Sequence, residues 1–387
     1  MYRIIFTSNP KTILKFFALL LLVAFIFSCN EINTNIHSNK EISLKAKKKI
    51  YKQKEKAEAI DKYFSNLYRK KVFNGNVLVA QQGEIIFQKS YGYRDIRTKE
   101  PLSLKSVFQL GSVSKQFTAT AILQLYEQGK LSLTDSLQRF FPHFPYKNIT
   151  VHELLCHRSG LMNYIYYCDN QPIDKSKPLS NQGVIQCLTD SAPSPYFQPN
   201  KRFDYSNTGY MILAAIVEKI SGMHFRDYMQ KNIFKPLKME NTYVYNHNTP
   251  YKSPYLVKGY EYGRIEANPD FLDGVVGDKG VYSNLYDLYL WDQGLYKEII
   301  ISKATLNLAF KPYGKKKTAK KNYGYGWRNY YLPDSTKIIY HAGWWHGYQS
   351  LLVRSEKDTS TIVVLKNKHN KVVIDQNRIL NILYQTP

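Results

Sequence analysis

The stretch Gln109-Leu-Gly-Ser-Val-Ser-Lys-Gln-Phe-Thr-Ala-Thr-Ala-Ile-Leu-Gln-Leu-Tyr126 sets Ser112 and Lys115 three residues apart where a helix begins. Three residues are almost one helical turn, so the hydroxyl and the amine share a face. Phe117, Ala121, Ile122, Leu125 and Tyr126 recur at helical spacing and predict an apolar stripe that buries this helix. A weak alcohol nucleophile therefore stands beside a candidate base. Ser-x-x-Lys is common by chance, and Ser8-Asn-Pro-Lys11 also fits, so the rest of the chain has to decide what the match means.

Upstream, Ile60, Tyr63, Phe64, Leu67 and Tyr68 predict a helix, and Asn76 to Ala80 and Glu84 to Lys89 predict two strands joined by Gln81-Gln82-Gly83. Downstream, Thr150-Val-His-Glu153 reads as a capping box, and helices dominate to about residue 235. One runs from Thr208 to Ile220 and stops at Ser221-Gly222, a second from Phe225 to Ile233, and a later one starts at Asn284 with Asp287 in its first turn. The period then changes. Tyr323 to Tyr331, Lys337 to Tyr340, Tyr348 to Arg354 and Thr361 to Leu365 read as strands, followed by a helix through Ile374, Ile379, Leu380 and Leu383. The fold class expected is α/β (α+β). An antiparallel sheet formed from the N- and C-terminal segments is flanked by helices, with a mostly helical region of about 130–310 inserted, in one domain of residues 48–387.

The 387 residues are 44% hydrophobic and 14% aromatic, ample for a large core. Residues 1–28 carry Arg3, Lys11 and Lys15, then the apolar run Phe16 to Phe27, and read as a secretory signal too short to span a bilayer. Ile26-Phe27-Ser28-Cys29 resembles a bacterial lipoprotein cleavage box, with Cys29 lipidated and residues 29–47 a polar tether; the alternative is an ordinary signal peptide or uncleaved anchor with an incidental cysteine. The expected address is the cell envelope or periplasm, on the membrane through the lipid anchor. One disulfide among Cys156, Cys168 and Cys187 is possible. Without Cys-x-x-Cys or His-x-x-x-His spacing, no metal or cofactor is expected. The net charge of +24 is scattered, and export makes nucleic acid an unexpected partner. A monomer is expected.

Three patterns line up in order: Ser112-Val-Ser-Lys115, Tyr205-Ser-Asn207 and His341-Ala-Gly343. Around them stand Leu154-Leu-Cys-His-Arg-Ser-Gly-Leu161, Phe203-Asp-Tyr-Ser-Asn-Thr-Gly-Tyr210, Ile233-Phe-Lys-Pro-Leu-Lys-Met239 and Tyr323-Gly-Tyr-Gly-Trp327. The ordered set, over about residues 60 to 368, resembles the serine β-lactamase and penicillin-binding-protein superfamily, in its class C-like branch of β-lactamases, DD-peptidases, esterases and amidases. The resemblance implies an acyl-enzyme on Ser112, formed with an amide or ester that is a small molecule or peptide, peptidoglycan fragments being among the candidates. The alternative is an envelope ligand-binding protein on the same fold without turnover.

An unperturbed lysine is neutral in about one molecule in 2,500 at pH 7, so Lys115 needs burial or a neighbouring cation to act as a base. Lys115 and Tyr205 form a coupled pair, and the residues alone leave open which of them takes the proton. Asn207 suits a bridge between Lys115 and a substrate amide, or a helix cap before Thr208. The resemblance places the backbone N–H groups of Ser112 and Trp344 in an oxyanion hole, and His341, with Gly343, on the strand edging the cleft. There His341 is expected to meet a substrate carboxylate. His157 and His346 read as structural, and Tyr282-Ser-Asn284 is set aside because Asn284 reads as a cap. Pro199-Asn200, Gly277-Asp-Lys-Gly280 and Trp344-Trp345-His346 depart from the family pattern and suggest a narrower, more aromatic cleft.

Overall fold

The computed structural model describes residues 49–246, 253–262, 265–314, 321–370 and 372–384. It divides into two compact units, 1–58 and 59–387. Of the first unit, residues 49–58 are described, and all are helical. The signal segment, Cys29 and the tether lie outside the described residues. Among the described residues no helix is long and apolar enough to cross a membrane.

In the second unit, alternating apolar residues build the main sheet. Among the described residues it has seven strands: β1 (Gly75–Gln81), β2 (Glu84–Tyr91), β3 (Lys321–Tyr323), β4 (Arg328–Tyr331), β5 (Lys337–Trp345), β6 (Tyr348–Ser355) and β7 (Ser360–Lys366). Their order is β3-β4-β5-β6-β7-β1-β2, antiparallel throughout, so the C-terminal strands complete the sheet begun by the N-terminal hairpin. Because side chains alternate, each strand feeds two cores. Val77, Val79, Val353 and Val364 pack with Phe64 and with Leu380 of the C-terminal helix (Gln376–Tyr384), while Leu78, Ala80, Leu352 and Val363 face the central helices.

The predicted hairpin, the Thr150 capping box and the cap at Asn284 are all present. Other readings are corrected. Tyr323 to Tyr331 is two strands broken by the turn at Gly324–Trp327, and Lys337 to Tyr340 is the first half of a nine-residue strand. The inserted region also holds a small sheet of Phe108–Gln109, Val281–Ser283 and Tyr243–Val244. Cys156, Cys168 and Cys187 are free thiols, the first two of them buried.

At the centre lies α1 (Ser114–Glu127), preceded by a single 3-10 turn, Gly111–Val113, that carries Ser112. The expected one-sided stripe is corrected here. All residues from Ser114 to Leu125 are buried, and Tyr126 is the exposed one. Several of the polar residues tolerate burial because they find partners. Thr118 donates to Gly277 O at 2.7 Å, Gln116 accepts from the Trp291 indole at 3.2 Å, and Gln124 donates to Ile300 O at 2.9 Å. Phe117 packs on Trp291 with ring centroids 4.2 Å apart; truncating a buried ring of this kind costs about 3–5 kcal/mol. α2 (Asn207–Ser221) crosses α1, and its first turn delivers Asn207 to Lys115.

Candidate active site

Lys115 is fully buried, and its Nζ has three partners: Ser112 Oγ at 3.0 Å, Asn207 Oδ1 at 2.8 Å and the Asp278 carbonyl oxygen at 2.8 Å. Burial pushes Lys115 down to about 7; the Asp278 carboxylate opposes this and Arg328 reinforces it. The geometry selects the neutral form's arrangement. A neutral amine has two hydrogens and one lone pair. The two carbonyl oxygens can only accept, so they take the hydrogens, and the lone pair is left facing the Ser112 hydroxyl.

Tyr205 lies beside this group, with Lys115 Nζ 4.9 Å from its ring centroid. Its hydroxyl is buried, and burial raises its pKa well above that of a free phenol, so it is protonated at neutral pH. Ser112 is near enough to favour the phenolate but is not aligned for a hydrogen bond, which leaves the Tyr205 hydroxyl an uncommitted donor. The ring packs against His157, tilted 37° with centroids 4.3 Å apart, and the His157 Nδ1 accepts from the Ser206 N–H at 3.1 Å. His157 is structural, as read. Ser206, not Asn207, caps α2, so Asn207 keeps its side chain for Lys115.

Two glycines bring strand β5 onto the nucleophile. Gly111 has φ +51°, and a Cβ there would meet Trp344 N at 2.7 Å. A Cβ on Gly343 would meet Leu110 O at 2.0 Å and Ser112 N at 2.9 Å. The Ser112 and Trp344 amides thus lie on the two sides of one tight backbone contact, where donors to an oxyanion are needed. β4 pairs with β5 only from Lys337 to Tyr340, so beyond Tyr340 the edge of β5 belongs to the cleft.

His341 does not. It is 1% exposed; its Nδ1–H donates to Ala342 O at 2.8 Å, which leaves Nε2 to accept from the Tyr323 hydroxyl at 3.1 Å. Burial, then Arg328 and Lys115, holds its pKa well below the usual histidine value. This corrects its assignment as a carboxylate contact: on β5, residues 341, 343 and 345 point inward. A cation that lines the cleft beside Tyr205 is Arg328, at the start of β4, with its guanidinium carbon 5.4 Å from the Tyr205 ring centroid and 5.6 Å from that of Tyr323. Sequence reading passed over it, because it stands on another strand thirteen residues before His341.

The other departures are built into the walls. Asp278 supplies the carbonyl for Lys115, and buried Lys279 donates to Tyr164 Oη, Leu272 O and Val275 O, fastening the adjoining loop. Asn200 takes φ +62° and its Oδ1 accepts from Arg158 Nε at 2.8 Å. Trp344 is 50% exposed at the rim, whereas Trp345 is buried and donates to Asp273 Oδ1 at 2.8 Å. His346 lies 3.1 Å from Asp273 and 3.5 Å from Asp270; burial opposes its protonation, but the two carboxylates outweigh it and hold its pKa at about 9. These contacts tie the β5–β6 turn to the loop at 270–274. The resulting cavity, of about 900 Å³, contains Ser112, Tyr205, Asn207 and Arg328 in its lining.

Comparison with known proteins agrees with this architecture. The Beta-lactamase family model matches residues 60–385. Penicillin-binding protein 4* of Bacillus subtilis is 37% identical over 338 residues, covering 83% of this chain and 74% of that protein. The teichoic acid D-alanine hydrolase of Staphylococcus aureus is 29% identical, over 65% of this chain and 61% of that protein. Among solved structures, the octameric penicillin-binding protein homologue of Pyrococcus abyssi superposes with a TM-score of 0.72 at 24% identity, covering 84% of this chain and 76% of that one; that likeness supports the fold alone. The extent of the family match and the curated relatives together place the chain in the Beta-lactamase family, among the serine hydrolases related to penicillin-binding proteins.

Proposed function

We propose that the protein hydrolyses a D-alanyl amide or ester of the cell envelope through an acyl-enzyme on Ser112. The observation that carries this reading is the buried, three-partnered Lys115, whose lone pair faces the Ser112 hydroxyl. Lys115 takes the Ser112 proton as Oγ bonds to the substrate carbonyl carbon, and the Ser112 and Trp344 amides receive the developing oxyanion. The C–N or C–O bond then breaks, the leaving atom takes a proton from the Tyr205 hydroxyl, and the Lys115 ammonium returns one to Tyr205. Water attacks the ester by the same route in reverse. The D-alanyl class is supported by the relative named as a teichoic acid D-alanine hydrolase.

Arg328 supports a free carboxylate on the leaving side. Charge-assisted hydrogen bonds of this kind contribute about 1.5–3 kcal/mol. Arg328→Ala should therefore lower kcat/KM for a D-alanyl-D-alanine peptide about 10- to 100-fold relative to its methyl ester. The ester control absorbs the effect of Arg328 on Lys115. The reading fails if purified protein turns over neither D-alanyl peptides nor D-alanyl esters, and the Arg328 role fails if the ratio does not move.

The reading includes export, with the chain held on the membrane as a monomer by a lipidated Cys29. Two acyl chains suffice for stable attachment where one does not. Cys29→Ser should release the protein from the membrane fraction or leave the precursor unprocessed. Unchanged processing and retention would exclude lipidation.

A further inference from the structure

The cavity does not end at the nucleophile. It continues past Trp344 over the outer face of the main sheet, where β5, β6 and β7 present two rows of side chains in register. Trp344 pairs with Gln349 and Gln349 with Lys366; in the next row Ala342 pairs with Leu351 and Leu351 with Val364. All six line the cavity, and residues 372–374 wall its far side.

Lys366 is the unexpected member. It is 1% exposed, and its Nζ donates to Gln349 Oε1 at 2.7 Å, Asn370 Oδ1 at 2.7 Å and Val372 O at 3.3 Å. These acceptors are neutral. They satisfy the protons of the ammonium without balancing its charge, so the cavity beside it is left favourable to an anion. The pairing also sets the direction of Gln349. An ammonium only donates, so Oε1 must face it, and the Nε2 donor is left for the cavity. Glu261, the acid on this side of the cavity, is already paired with His369 at 2.6 Å.

Resting on the acyl-transfer reading above, we propose that this second lobe holds the acyl side of the substrate and selects an extended peptide with a carboxylate about three residues before the scissile carbonyl. Adjacent strands are about 4.8 Å apart, which puts Lys366 about 10 Å from Trp344, and an extended chain spans that in about three residues at 3.3 Å each. Arg328 lies on the β4 flank of β5 and Lys366 on the β7 flank, so leaving group and acyl chain depart in opposite directions. The half-exposed Trp344 indole gives the intervening chain a face to pack on.

The test compares three substrates ending in D-alanyl-D-alanine: the N-acetyl dipeptide, a pentapeptide with a carboxylate three residues upstream, and the same pentapeptide with that carboxylate amidated. Wild type should prefer the acid to the amide by about tenfold or more in kcat/KM, the range of one charge-assisted contact. Lys366→Met and Gln349→Leu should each reduce that preference while leaving the dipeptide rate within about twofold. Gln349→Leu, a partly exposed position, keeps the test decisive if Lys366→Met does not fold. Equal rates for acid and amide in wild type, or an undiminished preference in both variants, would overturn the subsite. Binding of the two pentapeptides to Ser112→Ala reads the lobe without chemistry. Equal Kd values there also overturn the subsite, whereas a retained Kd difference beside absent wild-type turnover overturns the acyl-transfer reading alone.

Discussion

Ser112→Ala should leave no covalent adduct with a fluorophosphonate or a penicillin and should lower turnover by about a million-fold, the scale seen when a serine nucleophile is removed from a unit that works as a whole. The variant should fold normally. Ser112 is partly exposed, its hydroxyl caps no helix, and the helix behind it is packed independently of that oxygen. What remains after the substitution is the oxyanion hole and the binding surfaces, which retain substrate but supply no attacking atom. Intact-mass measurement of the probe-treated protein, followed by peptide mapping, checks this directly. An adduct on another serine, or undiminished labelling of the variant, would remove Ser112 from the chemistry.

Removal of the amine is the second large effect. Lys115→Ala should slow acylation by several orders of magnitude, and Lys115→Arg should do no better, because a guanidinium is not deprotonated in this pH range and has no lone pair to offer. The pH dependence supplies the sign. With its pKa near 7, Lys115 is half neutral at pH 7, so kcat/KM should rise as pH increases through about 7 and level off above 8. Arg328 helps to depress that value, so Arg328→Ala should move the rising limb to higher pH. Tyr205→Phe should also lower the rate, and the double variant Lys115→Ala with Tyr205→Phe should be no worse than the poorer single one, since the two pass the same proton. An acid limb with an unchanged midpoint in the residual activity of Lys115→Ala would mean that another group titrates.

The four-residue cluster Ser112, Lys115, Tyr205 and Asn207 was readable because its parts are local motifs: each pair sits within one turn or one short segment, and their order marks the family. The sheet was readable for a similar reason, since its strands alternate in period two and bury one face against each core. What escaped was set by the pairing of distant strands. Arg328 looked like an interior residue of one long strand, because a turn of four residues made of Gly and aromatics has no period to announce it. His341 looked accessible because the motif names a position and not the side of the strand on which it lies. The carbonyl of Asp278 carries no side-chain signature at all. Lys366 fell just past the strand read as Thr361 to Leu365 and drew no notice, although three neutral acceptors brought to it by β6 and the segment after β7 hold it in the interior. The polar residues of α1 predicted an exposed face, and partners from Gly277, Trp291 and Ile300 removed it.

The burial of α1 over all but its last two residues also bears on how this enzyme can change. Ser112 sits on the single turn directly in front of the helix around which the layers are packed, so its position is tied to that of the domain core. Thermal inactivation then follows global unfolding, with no earlier stage in which the fold survives and the chemistry fails. New substrates, for the same reason, have to be acquired without touching the helix. The residues free to vary are those mounted on the periphery, among them Trp344, Asp270 and the segment around Val373, where a substitution reshapes the walls while the reacting atoms keep their places.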